Sequence, residues 1–330
     1  MLRIACVTKK EYHKAKAIFE SCDSIRFIPV DSGEHALATE IQRHKAFATV
    51  IGVEPYRKEL YASLPRGGVI ARFGVGHDGV DKAMADQAHV IITNTPNAVD
   101  DSVAEHTMWL IGALARRITS LHANTMSGKW QPESGIEIRG KTLLIIGCGK
   151  IGFRVAGIAS FGFGMNVTGY DVYPVDPTQA QKAGFKQIAT SLDQAIGQAD
   201  FITLHIPSLP STRHFVSADF ISKMKPSAYI VNTARGPIVD EVSLYDALVS
   251  RRIAGAGLDV FESEPYVPID PARNLCNLDR VVITPHISSS TSEACARMGE
   301  SVVRNLIAAT ACRYKDMDII NSDILKRFEK

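Results

Sequence analysis

The sequence predicts an α/β protein built from two doubly wound parallel-sheet domains, and three observations predict it. At 330 residues the chain exceeds the size that one hydrophobic core usually serves. Short, near-continuous apolar runs alternate with segments of helical spacing, the pattern of parallel strands covered on both faces. The alternation occurs as two series, separated by a long amphipathic stretch.

The first series reads "LRIACVT", "IRFIPV", "FATVIG", "GVIARFG" and "HVIITN"; the second reads "TLLIIGCG", "MNVTGYD", "FITLHIP", "AYIVNTA", "AGLDVF" and "VVITP". Between them, Ser102 to Met126 carries an apolar face of Val103, Met108, Leu110, Ile111, Leu114 and Ile118, which predicts a long helix. A second long helix is expected near the other end. Ser290 with Glu293 fits a capping box, and Met298, Val302, Val303, Leu306 and Ile307 continue its stripe. The boundaries expected are a discontinuous domain of residues 1–100 and 290–330, interrupted by a second domain of residues 101–289.

Composition narrows the function. A net charge of +2, with both signs scattered, offers no electrostatic footprint for nucleic acid or an anionic membrane. No apolar run reaches spanning length, and "MLRIACVTKK" lacks a signal-peptide pattern. The six cysteines form no CxxC pair and have no histidines at zinc spacing, so reduced thiols, no metal and a cytoplasmic location are expected.

"TLLIIGCGKIGFRVAGIASFGFGMNVTGYD" places Gly147, Gly149 and Gly152 in GxGxxG, directly after an apolar strand and at the start of a helix. Glycines there permit a tight turn and close backbone approach, so a pyrophosphate can sit on the helix N-terminus. Asp171, at the end of the next strand, is placed to accept hydrogen bonds from adenosine ribose hydroxyls. It would repel a 2′-phosphate, which favours NAD over NADP.

Three later strands end in unusual residues. Arg235 follows "AYIVNTA", and its planar fork suits a carboxylate. "GLDVFESEP" packs Asp259, Glu262 and Glu264 into six residues, and "VVITPHISSST" sets His286 after a proline. Taken singly, each has an ordinary reading: a surface arginine, a solvated charge run, a hydrogen-bonded histidine in a turn. Their order behind a dinucleotide loop makes them a coherent constellation.

The stretches "ARFGVGHDGVD", "TPNAVDDSVAEHT", "IIGCGKIG", "HIPSLPST", "NTARGPIVDE", "GLDVFESEP" and "TPHISSST" resemble the NAD-dependent D-isomer-specific 2-hydroxyacid dehydrogenases, from Phe47 to about Ala308 and in the family's order. The resemblance implies a Rossmann-type NAD domain inserted in a flavodoxin-like substrate domain. It implies Arg235, Glu264 and His286 as the catalytic residues, with Glu264 orienting the His286 imidazole and favouring its protonated form. Cofactor contacts would come from Lys150, Ile151, Asp171, Ile206, Pro207, Thr233, Ala234, Arg235 and Asp259, and the backbone of Val75 and Gly76 would hold the substrate carboxylate.

The partners implied are a small 2-hydroxy or 2-keto acid and a second copy of the chain, as a homodimer built mainly on the NAD domain. Tyr56 and Arg57 hint at a polar or anionic substrate tail. Pro237, Ser288 and Ser289 depart from the family pattern, and the two serines bear on the nicotinamide end of the site. An NAD-sensing, corepressor-like binding module of the same family is the competing expectation. A metal site on His77, Asp78 and Asp81 is a weaker one, because the substrate-loop motif explains those residues better.

Overall fold

The computed structural model describes residues 2–327, so Met1 and residues 328–330, the ends of the expected first domain, lie outside the described residues. The chain divides into two compact units, Met1–Val99 with Ser289–Lys330, and Asp100–Ser288.

In the first unit five parallel strands, β1 (Arg3–Thr8), β2 (Ile25–Val30), β3 (Ala48–Ile51), β4 (Val69–Arg72) and β5 (Ile91–Thr93), lie in the order β2-β1-β3-β4-β5. That is the flavodoxin-like order, with its switch point between β1 and β3. β3 and β4 are buried along their whole length, which explains their mainly apolar sequences, broken only by Thr49 and Arg72. The helix Ser292–Thr310 packs on β4 and on the helix Lys16–Glu20. Its N-cap is Thr291, whose hydroxyl accepts the Ala294 amide at 3.1 Å, and not the expected Ser290. Glu293 therefore falls at the second helical position, where it cannot complete a capping box.

The second unit holds β6 (Thr142–Ile146), β7 (Asn166–Tyr170), β8 (Phe185–Ile188), β9 (Phe201–Leu204), β10 (Tyr229–Asn232), β11 (Gly255–Leu258) and β12 (Val281–Ile283). They form one parallel sheet in the order β12-β11-β10-β9-β6-β7-β8. Renumbered within the unit this is 7-6-5-4-1-2-3, the Rossmann order with one added strand, and its switch point lies between β6 and β9. β8 escapes the apolar-run reading because it is a polar edge strand whose one buried residue is Phe185.

The expected helix from Ser102 to Met126 is two helices, Asp100–Arg116 and Ile118–Met126. They break at Arg117, which takes a left-handed φ of 53° while its guanidinium pairs with Glu133. Among the described residues no helix is long and apolar enough to cross a membrane.

The edge of β5 is closed by the C-terminal segment. The Asn321 side chain accepts the Ile92 amide at 2.8 Å and donates to the Val90 carbonyl at 3.0 Å and to Asp86 at 2.8 Å. Asn321→Ala leaves a buried strand amide without a partner, so it should cost about 1–3 kcal/mol. A lowered urea midpoint for the first unit's transition is expected; an unchanged midpoint would contradict this role.

Candidate active site

At the β6 end of the switch point, Gly147 has φ +99°, and a Cβ there would stand 2.5 Å from the His205 carbonyl oxygen beyond β9. A Cβ on Gly152 would run into the Gly147 carbonyl oxygen. These two glycines are required by the protein's own packing. Gly149 differs: it caps the helix Lys150–Gly157, and a Cβ on it would meet nothing. Open space beside a helix N-terminus, with Lys150 and Ile151 in a first turn whose amides have no intrahelical acceptor, is a cradle that fits a pyrophosphate.

Asp171 lies at the end of β7. Its carboxylate accepts the amides of Cys148 at 2.7 Å and Tyr173 at 2.9 Å, so it also stitches the glycine loop to the neighbouring strand. Each oxygen retains lone-pair capacity for a ribose hydroxyl. Beyond β9, Ile206 is half-buried and Pro207 exposed. His205 is a poor candidate for proton transfer: desolvation by burial pushes its imidazole down to about 3, and its Nε2 is 3.0 Å from the Thr203 hydroxyl.

Arg235 sits in the turn after β10. The buried Asn232 side chain ties that turn, accepting the Ala234 amide at 3.0 Å and donating to the Arg235 carbonyl at 2.8 Å. The Arg235 guanidinium donates to the Ala234 carbonyl at 2.7 Å. Thr233 is buried, its hydroxyl 2.9 Å from that of Thr107. Gly236 lies directly against the Phe261–Glu262 peptide, with no room for a Cβ, so the arginine turn and the acidic turn are locked together.

Asp259, expected among the cofactor contacts, is 0% exposed. Its carboxylate accepts the Thr284 hydroxyl at 2.6 Å and the amides of Ile287 and Ser288, both at 2.8 Å, and its carbonyl accepts the His286 amide at 2.8 Å. The structure thus makes it an anchor of the histidine turn, beside any contact it makes to a cofactor. His106 lies behind it, with Nε2 3.0 Å from the Thr284 hydroxyl. Nothing in the sequence marks this network, because its acceptors are chosen by amides that the turn leaves open.

His286 itself has φ +53°, a left-handed conformation unfavourable for a residue with a Cβ, and the Asp259 bonds hold it there. Its Nδ1 lies 2.6 Å from Glu264 Oε2, while Glu264 Oε1 accepts the Phe261 amide at 3.1 Å. Burial works against the Glu264 charge, but the His286 hydrogen bond and charge, the Phe261 amide and the Arg235 charge together hold its carboxyl below the usual range. The arginine, glutamate and histidine expected from three separate motifs are therefore grouped within one unit.

Val75 and Gly76 belong to the first unit, in the loop after β4. Asn94 donates to the Val75 carbonyl at 2.8 Å, and among the described residues neither backbone amide has a hydrogen-bond acceptor. Tyr56 does not serve a substrate tail: it is 3% exposed, and its hydroxyl donates to the Ser32 carbonyl at 3.1 Å. Arg57 is exposed. Asp81 caps the helix Lys82–Gln87 through the Met84 amide, and among the described residues no group of His, Cys, Asp or Glu is arranged to hold a metal ion. Ser288 is buried and contributes its amide to the histidine turn.

A Rossmann-ordered sheet with an open glycine cradle defines a dinucleotide-binding protein. The family model described as "D-isomer specific 2-hydroxyacid dehydrogenase, NAD binding domain" matches residues 108–288. The chain belongs to the D-isomer specific 2-hydroxyacid dehydrogenase family, and NAD is its cofactor. It is 34% identical to a glyoxylate reductase from Korarchaeum cryptofilum over 83% of this chain and 82% of that one. It is 43% identical to a hydroxypyruvate reductase from Thermotoga maritima over 72% of this chain and 76% of that one. Among solved structures, the D-lactate dehydrogenase of Aquifex aeolicus complexed with NAD and lactic acid superposes with a TM-score of 0.82, at 27% identity, covering 97% of this chain and 99% of that one.

The two kinds of glycine separate experimentally. Gly149→Ala should fold normally and weaken NADH binding by roughly tenfold or more, a loss of about 1.4 kcal/mol. Gly152→Ala should instead lower thermal stability, because the backbone itself blocks the methyl. Fluorescence titration with NADH and a melting curve read both, and equal NADH affinity in Gly149→Ala and the parent would contradict the cradle.

Proposed function

We propose that the protein transfers a hydride between NAD(H) and C2 of a D-2-hydroxy acid or its 2-keto acid, with His286 as acid and base. The observation that carries this reading is the 2.6 Å contact between Glu264 Oε2 and His286 Nδ1, in a unit where Arg235 adds its charge beside the same carboxylate. NAD, when bound, supplies or takes the hydride. Arg235 pairs with the substrate carboxylate, polarises the carbonyl and stabilises the charge developing on its oxygen. The backbone amides of Val75 and Gly76, in the first unit, are proposed as substrate-binding donors.

With Nδ1 committed to Glu264, Nε2 is the nitrogen left to exchange a proton with the C2 oxygen. Glu264, its carboxyl held below the usual range, stays paired to Nδ1 while Nε2 gives up or takes the proton. Asp171 is proposed to select NAD over NADP through its remaining lone pairs. The relatives' names support a substrate of the glyoxylate, hydroxypyruvate or phosphoglycerate type. Six free cysteines support a cytoplasmic enzyme. Trp109, Met126 and Trp130, 69%, 75% and 85% exposed, are apolar surface that supports a homodimer through the second unit.

The direct test is NADH oxidation with glyoxylate, hydroxypyruvate, pyruvate, phosphohydroxypyruvate and a branched keto acid. Turnover with glyoxylate, hydroxypyruvate or phosphohydroxypyruvate is expected; tight NADH binding with a flat response to all five would overturn the reading. His286→Ala should lose roughly 10²–10⁴-fold in kcat while still binding NADH. Glu264→Gln removes the negative charge that stabilises the imidazolium, so the alkaline limb of the reduction profile should move to lower pH. Arg235→Lys should be severely impaired, because a point charge cannot reproduce the fork.

For the dimer, sedimentation of the parent and of Met126→Ser/Trp130→Ser should give a dimer and a monomer respectively. A parent that sediments as a monomer would contradict it.

A further inference from the structure

Glu262 is the member of "GLDVFESEP" left without a part in the chemistry. Its side chain is only 8% exposed, an expensive place for a charge without partners. It has two: Arg213 donates to Oε2 at 3.0 Å, and His214 Nε2 lies 2.9 Å from Oε1. Its backbone amide is held as well, donating at 2.7 Å to Glu241 Oε1 at the start of the helix Glu241–Val249.

The partners are themselves fixed. His214 takes a left-handed φ of 51° and its amide donates to the Pro237 carbonyl at 2.8 Å; the Val216 amide donates to the Ile238 carbonyl at 3.0 Å. The segment carrying Arg213 and His214 is thus laced to the segment that follows Arg235. Glu241 is buried, and desolvation together with the charges of Glu262 and Asp240 pushes its carboxyl up. The peptide between Phe261 and Glu262 lies against Gly236. Two residues on, Glu264 meets His286.

We infer that Glu262, clamped by Arg213, His214 and Glu241, is a positioning residue that sets the place of the Glu264 carboxylate against His286. The clamp acts at two points of one peptide, side chain and amide. It fixes the start of the turn whose Phe261 amide binds Glu264 Oε1, so that Oε2 is presented to the imidazole. With the Glu262 side chain removed, the turn keeps the Gly236 contact and its amide bonds but loses its charged anchor to Arg213 and His214.

The inference rests on the Glu264–His286 pairing proposed above, and a measurement that needs no turnover separates the two. The His286 ring resonance, assigned by its loss in His286→Ala, is followed against pH by NMR. The group facing it is Glu264, itself near the Arg235 charge, with Asp259 and His106 behind its turn; those facing Glu262 are Arg213, His214 and Glu241, the last near the Asp240 charge.

Glu264→Gln should lower the titration midpoint. Glu262→Ala should move it in the same direction, by no more than Glu264→Gln does. The double variant should fall no further than Glu264→Gln alone, since Glu262 acts through Glu264. If Glu264→Gln leaves the midpoint in place, the pairing itself fails and the inference with it. If Glu264→Gln moves it and Glu262→Ala lowers only the melting temperature, Glu262 is merely structural and the inference is overturned. Should Glu262→Ala not fold, Arg213→Leu/His214→Gln releases the clamp from its more exposed side. That variant must move the midpoint in the same direction, and an unmoved midpoint would equally overturn the inference.

Discussion

The Asp259 carboxylate lies buried beneath the turn that carries His286, and the Thr284 hydroxyl and the amides of Ile287 and Ser288 converge on it. A buried carboxylate is tolerable only when such donors satisfy it, and each donor in turn fixes one point of the turn. Together with the His286 amide on the Asp259 carbonyl, they hold the histidine in a left-handed conformation that its side chain alone would disfavour. The direction of the imidazole, and therefore its meeting with Glu264, depends on this arrangement.

The same logic recurs at the ends of the neighbouring strands. Asn232 satisfies the turn after β10 and so places Arg235. Asp171 satisfies the amides of the glycine loop and of Tyr173, and so shapes the dinucleotide cradle. In each case a short polar side chain at a strand's carboxyl end captures amides that no ladder can reach. Chemistry gathers there because a parallel sheet ends there with open backbone groups that side chains must close.

Much of this was legible in the sequence. Gly147, Gly149, Gly152, Arg235, Glu264 and His286 are contiguous with apolar strands, and their residue types are dictated by local needs: close approach, a fixed positive fork, a titratable ring. The two strand series are legible because buried parallel strands are mostly apolar, with polar residues such as Thr203 and Asn232 few among them. What escaped depends on contacts between distant turns. Glu262 reads as a solvated charge until Arg213 and His214 arrive from 49 and 48 positions away. Asp259 carries the family's motif yet is turned inward. The Thr291 cap, the break at Arg117 and the polar edge strand β8 were missed or shifted because tertiary pairing, and not local pattern, decides them.

The account's central claim is that these turns serve hydride transfer to a 2-keto acid carbon, and labelled cofactor tests it most directly. NADH deuterated at the nicotinamide C4 would be incubated with the protein and hydroxypyruvate, and the product examined for isotope and configuration. The account predicts deuterium at C2 of a product of D configuration. Bound NADH that delivers no deuterium to C2 of hydroxypyruvate, glyoxylate or any other 2-keto acid would contradict it.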